Sequence, residues 1–455
     1  MIYLLAILLL TIFIFSIFMN KKDITAPAVV FSFGFAFQCM WAVLYHKAWR
    51  LDLHLNTFLV LFLGVLEFVF ISGVIKYLFK LRDKKKGINV DEKSKLKVIK
   101  TNKVLEVLYL LFAIGMGAVY LYYVVRVVNG SFKSIGTISE AISSFDTLRK
   151  FSNDSEVANL PFVISNLNLA IIASGYWFMY VIINNFLAEK KISIIQILIV
   201  LVTMISSMLS GSRTPAFLMI ISGLCYFLVL LNIKKNYKNI FSVKMFICLA
   251  SLGVAALVLF QPVAKLLGRD IKNGAMAYLS IYCGAEVKNL DTYLQEKDYR
   301  ERNNMFGSQT LYSIMLTVGD KMHYKKAKDY RLDLPFRQVD DMELGNVYTT
   351  FYAFVYDFGY IGLAIFVFIM SAICAVIYEY IVRLKNLEKI RISILVYGVL
   401  FGCLLLSFFS NRFYEDVFSM GFIKKLIVWI ACTLVFCKLD FNKLFNRLGI
   451  RKKSR

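Results

Sequence analysis

Arg213 is the only charge in the 42 residues from 192 to 233, within Leu209-Ser-Gly-Ser-Arg-Thr-Pro215. An arginine is a planar, permanently charged fork that grips phosphate through parallel hydrogen bonds. Ser212 and Thr214 add hydroxyl donors, and Gly211 allows close backbone approach. The chemistry this segment suits is binding of a phosphate or diphosphate. The competing reading is an arginine that snorkels to lipid head groups.

Two further arginines have a similar setting. Arg412 lies in Ser410-Asn-Arg-Phe-Tyr-Glu-Asp416, where Glu415 and Asp416 either neutralise it or join it in one site. Arg269 lies in Leu267-Gly-Arg-Asp270 with Asp270 as an available partner. A carboxylate cluster precedes a long apolar run in Asp340-Asp-Met-Glu-Leu-Gly-Asn-Val-Tyr-Thr-Thr350. One of these acids, Asp341 foremost, can act as general base towards a sugar hydroxyl. Asn346, Tyr348 and Thr349 carry the hydrogen-bonding groups that hold carbohydrate. Acids before a helix also stabilise its N-terminus with no catalytic role. Glu67, inside an apolar run, reads as a proton-carrying group or a hydrogen bond to a neighbouring helix. The three histidines, His46, His54 and His323, do not fall at ligand spacing with carboxylates, so neither a metal nor another cofactor is expected.

These residues sit between apolar runs. Eleven membrane segments are predicted, at roughly 2–19, 25–46, 56–79, 104–127, 163–187, 192–209, 215–233, 242–263, 352–382, 392–410 and 419–437. The hydrophobic share of 59% exceeds the 45–50% or so of a soluble domain, which makes the chain an all-α, polytopic membrane protein. The first run lacks a basic lead and a small-residue cleavage site, so it reads as a retained helix and not a signal peptide. The eight cysteines form no CxxC pair, which excludes a disulfide framework or zinc site as the organising feature.

The net charge of +23 suggests nucleic acid until the basic residues are placed. Alternate connections, starting at 20–24, hold 28 Lys and Arg, ten of them in 80–103. The short connections of the other set hold seven: Lys47, Arg50, Lys133, Arg149, Lys150, Arg213 and Arg412. By the positive-inside rule the N-terminus is expected outside and the C-terminus in the cytoplasm. The basic residues then face anionic lipid, and no nucleic-acid partner is expected.

One connection is not short. Residues 264–345 hold 13 basic and 12 acidic residues, with apolar spacings at 275–282 and 311–316 that suit short amphipathic helices. The organisation expected is therefore membrane helices over 1–263, a large extracytoplasmic loop over 264–345, and the last helices and basic tail over 346–455. A second outer connection, 128–162, adds a polar helix-like stretch at 141–152.

With this layout, Ser210-Gly-Ser-Arg-Thr214 opening an apolar helix and Asn346-Val-Tyr-Thr-Thr350 followed by Asp357-Phe-Gly-Tyr-Ile-Gly362 resemble the Wzy-type polymerases of O-antigen and capsular polysaccharide. The resemblance implies a glycosyltransferase of the bacterial cytoplasmic membrane that needs no metal. It would move the growing chain from undecaprenyl diphosphate onto the non-reducing end of a new lipid-linked oligosaccharide. A flippase and a chain-length regulator are the partners it implies. Diphosphate is a good leaving group, so cations that hold its charge are the main requirement. Arg213 matches the family's dependence on arginines in outer loops, with Arg269 and Arg412 as candidates beside it. Two rivals share parts of the pattern. An O-antigen ligase shares the layout and would use His323. A transporter or flippase of lipid-linked sugars would show internal repeats and more polar helices.

Overall fold

A segment in hydrocarbon must satisfy its backbone internally, and a helix is the local way to do so. The computed structural model of the chain describes residues 1–86, 96–131, 136–152, 159–237, 275–296, 305–384 and 387–438, with positions 258 and 262. Among these residues eight helices are long and apolar enough to cross a membrane, and two more are apolar but shorter. In chain order the first half gives α1 (Ile2–Met19), α2 (Pro27–Tyr45), α3 (Leu55–Lys86), α4 (Lys103–Ser131), the surface helix α5 (Ile138–Phe151), α6 (Phe162–Glu189), α7 (Ile194–Met208) and α8 (Thr214–Lys234). The second half gives α9 (Ala275–Cys283), α10 (Ala285–Gln295), α11 (Tyr312–Lys321), α12 (Lys325–Lys328), strands β1 (Arg337–Val339) and β2 (Met342–Gly345), then α13 (Thr350–Val382), α14 (Ile392–Leu405) and α15 (Met420–Lys438). The chain is an all-α polytopic membrane protein. The expected segment at 242–263 lies outside the described residues.

The two short apolar helices are α7 and α14. At about 1.5 Å per residue their 15 and 14 residues rise only some 22 Å, against a hydrocarbon core of roughly 30 Å. Helix α7 ends within one residue of the expected boundary of 192–209, and α14 ends five residues before that of 392–410. Each is completed by non-helical chain, and those turns carry Arg213 and Arg412. Irregular backbone at membrane depth persists only where protein or a water-lined cavity satisfies it.

Close approach of α8 to α14 brings these turns to the same end of the bundle. A Cβ at Gly402 would stand 2.9 Å from Leu218, so no larger residue fits without displacement. Ser222 Oγ donates to Gly398 O at 2.9 Å, and Tyr226 Oη to Leu395 O at 3.2 Å. Elsewhere α13 lies along α3, and Ser72 pairs with Ser371 at 3.0 Å.

The long connection packs as a layer over this end. Asp291 accepts from His54 N at 3.0 Å and Thr57 Oγ1 at 2.7 Å, which caps the start of α3. Asn289 Nδ2 donates to Val347 O at 2.9 Å. Asp357 gathers the backbone N–H groups of Gln309 (3.0 Å) and Thr310 (2.6 Å). Asn411 Nδ2 reaches Thr310 O at 2.9 Å, and Thr350 N donates to Ser407 O at 2.9 Å. The helices expected at 275–282 and 311–316 are present as α9 and α11. The β1–β2 hairpin was not anticipated. Its turn places Asp340 at φ 50° and its end places Gly345 at φ 67°, a local geometry that three- and four-residue strands do not announce.

Gly359, at φ 65°, interrupts α13 inside Asp357-Phe-Gly-Tyr-Ile-Gly362. Before the break Phe351 stacks on Phe35 of α2 at 4.8 Å, so these turns already pack within the bundle, while Asp357 holds the loop layer. At the opposite end Arg383 joins Asp83 (2.6 Å) to Glu379 (2.6 Å), and Asn232 Nδ2 donates to Asp23 at 2.9 Å. That end is closed by buried polar bonds.

Candidate functional site

The turn before α8 is built to hold Arg213 in place. Gly211 takes φ 81°, and a Cβ there would lie 2.8 Å from Ile142 O of α5. Asp146 of α5, itself buried, packs its Cβ against the same glycine. A capping box of Thr137 and Glu140 starts α5 and fixes its end over the turn. Arg213 then occupies the N-cap of α8 and is only 7% exposed. Its Nη2 donates to Tyr278 Oη at 3.1 Å, and its guanidinium lies 5.9 Å from the centre of the Tyr282 ring.

A cation at a helix N-terminus opposes the helix dipole, which favours negative charge there. The cation and the dipole instead act together on an anion. Ser212 and Thr214 flank Arg213 half-buried, with hydroxyl donors beside it.

Tyr282 also stacks on Phe409, with centroids 5.8 Å apart and planes 26° apart. Phe409 belongs to the turn after α14 that leads into Arg412. The ring therefore links the two arginine-bearing turns. Arg412 starts a π-helical turn, Phe413–Val417, and its Nη1 lies 3.6 Å from Glu415 Oε2. Among the described residues, the buried Arg412 Nε, Asp416 Oδ2 and Ser410 Oγ have no hydrogen-bond partner. The carboxyl of Glu415 is pushed up to about 7, because burial and Asp416 outweigh the pull of Arg412. Tyr312 of the loop layer lies near both Glu415 and Arg331, and Lys425 of α15 lies over the Tyr176 ring at 5.7 Å.

The other candidates fall elsewhere. Asp341 and Glu343 are exposed on the hairpin, where Asp340 pairs with Arg50 at 2.8 Å. Asn346 is half-buried. Tyr348 and Thr349 are buried: Tyr348 Oη donates to Pro335 O at 2.9 Å, and Thr349 is the N-cap of α13. Arg269 lies outside the described residues. His323 is exposed at the end of α11, with φ 52°.

Sequence reasoning did not single out Tyr278 and Tyr282 as partners of Arg213. The available signal was their spacing of four, which puts both on one helix face. It also passed over Glu286, which is fully buried and accepts from Gln38 Nε2 at 3.3 Å. Burial drives that carboxyl well above the usual range.

A helical bundle with arginines recessed in turns under a folded loop defines a multi-pass membrane protein. The model of the family "O-antigen polysaccharide polymerase Wzy" matches residues 1–273, and the chain belongs to that family. The match includes Arg213 and Arg269 and stops before the hairpin and Arg412. Membership makes the protein an O-antigen repeat-unit polymerase acting on lipid-linked oligosaccharide in the membrane. No curated protein and no solved structure matches the chain.

Proposed function

We propose that the chain extends its polysaccharide at the outer face of the bacterial cytoplasmic membrane. The growing glycan is transferred from undecaprenyl diphosphate to the non-reducing end of a new lipid-linked unit. The observation that carries this reading is Arg213, buried at the start of α8 and joined through Tyr282 to the turn bearing Arg412. Two cations on linked turns suit a diphosphate, which one arginine does not neutralise. As the anomeric C–O bond breaks, negative charge grows on the leaving oxygen, and preorganised cations stabilise that state more than the ground state. No metal is needed for this step. Ser212 and Thr214 would add donors to the phosphate, Arg269 is a further candidate cation, and Asn346 would contact sugar.

The placement of the turns supports this reading. Lipid carriers keep their diphosphate at the head-group level, and the helices leading to both arginines end short of a full crossing. The distribution of basic residues supports an outer location for this end, with the N-terminus outside and the C-terminus in the cytoplasm. A flippase delivers such a substrate, and a chain-length regulator is a natural partner.

The test is deletion of the gene followed by electrophoresis of surface glycan. The ladder is expected to collapse to single repeat units and to return with the intact gene. Unchanged glycan would sink the proposal.

A further inference from the structure

We propose that Glu415 is the general base of glycosyl transfer, accepting the proton of the acceptor hydroxyl. The inference rests on the diphosphate reading above and adds the group that completes its chemistry. The hydroxyl oxygen forms the new bond to the anomeric carbon. The bond from that carbon to the diphosphate oxygen breaks, and its electron pair leaves with the phosphate. The hydroxyl proton passes to the Glu415 carboxylate, which becomes the neutral acid and later releases the proton to water.

Several features place Glu415 in this role. It sits in the same turn as Arg412, so one short segment presents a cation for the leaving group and a carboxylate for the nucleophile. Its separation from Arg412, 3.6 Å, is longer than the 2.7–2.9 Å or so of a closed charge-assisted bond, so the pair is not locked together. The Glu415 side chain keeps 17% of its surface exposed, enough for a hydroxyl to reach it.

The backbone is pinned from two directions: Ser313 Oγ donates to Glu415 O at 2.7 Å, and Glu415 N donates to Asn411 O at 3.1 Å. The segment is π-helical, a geometry that recurs at functional sites because it re-aims side chains. Arg412 Nε and Asp416 Oδ2, buried in the same turn, have no partner among the described residues, which marks the turn as incomplete without a ligand. Polar groups are not left so without reason.

The groups facing this carboxyl are Arg412 and Asp416 on its own turn and Tyr312 on α11, with Arg331 behind Tyr312. Cys403 of α14 and Lys425 of α15 lie on the side of Asp416 and Arg412. Burial places the carboxyl near neutrality, where a base both stays ionised and binds a proton well.

Glu415→Gln tests the assignment, with Asp341→Asn in parallel because Asp341 is the competing acid. Polymerisation would be followed with membranes and a lipid-linked repeat unit between pH 5.5 and 8.5, and substrate binding measured separately. The wild-type rate is expected to fall as pH drops through about 7, where Glu415 takes up its proton. Glu415→Gln is expected to lose about 100-fold or more in rate, to lose this pH limb, and to keep substrate affinity. Asp341→Asn should retain both rate and limb.

A Glu415→Gln enzyme with the wild-type rate and limb would overturn the proposal. So would tighter substrate binding at unchanged rate, which would make Glu415 a counter-ion of Arg412 alone. If the Gln variant does not accumulate, Glu415→Asp decides: a reduced rate with a displaced limb supports the role, and an unchanged profile refutes it. Arg213→Ala separates the layers. Full activity there removes the diphosphate reading itself, whereas a silent Glu415→Gln beside an inactive Arg213→Ala removes only the base.

Discussion

Replacing Arg213 by Ala and by Lys separates charge from geometry. Arg213 is 7% exposed at the N-cap of α8, with Tyr278 Oη 3.1 Å from Nη2 and the Tyr282 ring beneath it. Alanine removes the cation and the fork together. Loss of one preorganised donor to a developing oxyanion costs about 2.7–4 kcal/mol, or roughly 100- to 1,000-fold in rate. Lysine restores charge but not the planar pair of donors. One charge-assisted hydrogen bond of about 1.5–3 kcal/mol stays lost, so recovery should stop about ten- to 100-fold below wild type.

The assay is glycan ladder length in complemented cells, with membrane abundance measured by immunoblot, then initial rates on a lipid-linked unit. Alanine should leave single repeat units at normal abundance, and lysine should give short chains. Long chains from the alanine protein would refute the role of Arg213. Equal recovery by lysine would show that only charge matters and that the fork is irrelevant.

Two further substitutions test the scaffold. Asp357→Ala leaves the N–H groups of Gln309 and Thr310 without their acceptor; at about 1–3 kcal/mol per stranded group the loss should lower the unfolding temperature of detergent-purified protein, and Asp357→Asn should lower it less. Arg50→Ala breaks an ion pair whose side chains are 72% and 56% exposed; such pairs contribute about 0–1 kcal/mol, so stability and chain length should both stay near wild type, and a collapsed ladder would show that the hairpin carries chemistry.

Much of the bundle was readable because lipid permits few solutions. An apolar run of some 20 residues is a helix almost by necessity, and ten of the expected segments appear among the described residues. The end of α7 was readable to within one residue, because Ser210-Gly-Ser212 breaks the apolar run; the early end of α14 was not, because Leu406-Ser-Phe-Phe409 is nearly as apolar as the helix it follows. Hydropathy measures lipid compatibility; whether the backbone there is helical depends on tertiary partners such as Ile142 and Thr350.

The proposed site was half legible. Arg213 stood out by charge alone, and Glu415 by adjacency to Arg412. Tyr282 did not, since it meets Arg213 and Phe409 only after long segments of chain close on each other. Tyr348 shows the converse: a residue type suited to sugar is turned inwards, where its hydroxyl serves Pro335 and Arg337.

The central claim is that Arg213 and Arg412 hold one diphosphate between them. Binding of undecaprenyl diphosphate to detergent-purified protein, compared across wild type, Arg213→Ala, Arg412→Ala and the double variant, tests it most directly. Each single substitution should weaken binding by about tenfold or more, in line with about 1.5–3 kcal/mol for a hydrogen bond to a charged group. The double variant should lose less than the sum of the two in free energy, because both act on one ligand. Unchanged binding in either single variant, or strictly additive losses, would contradict the account.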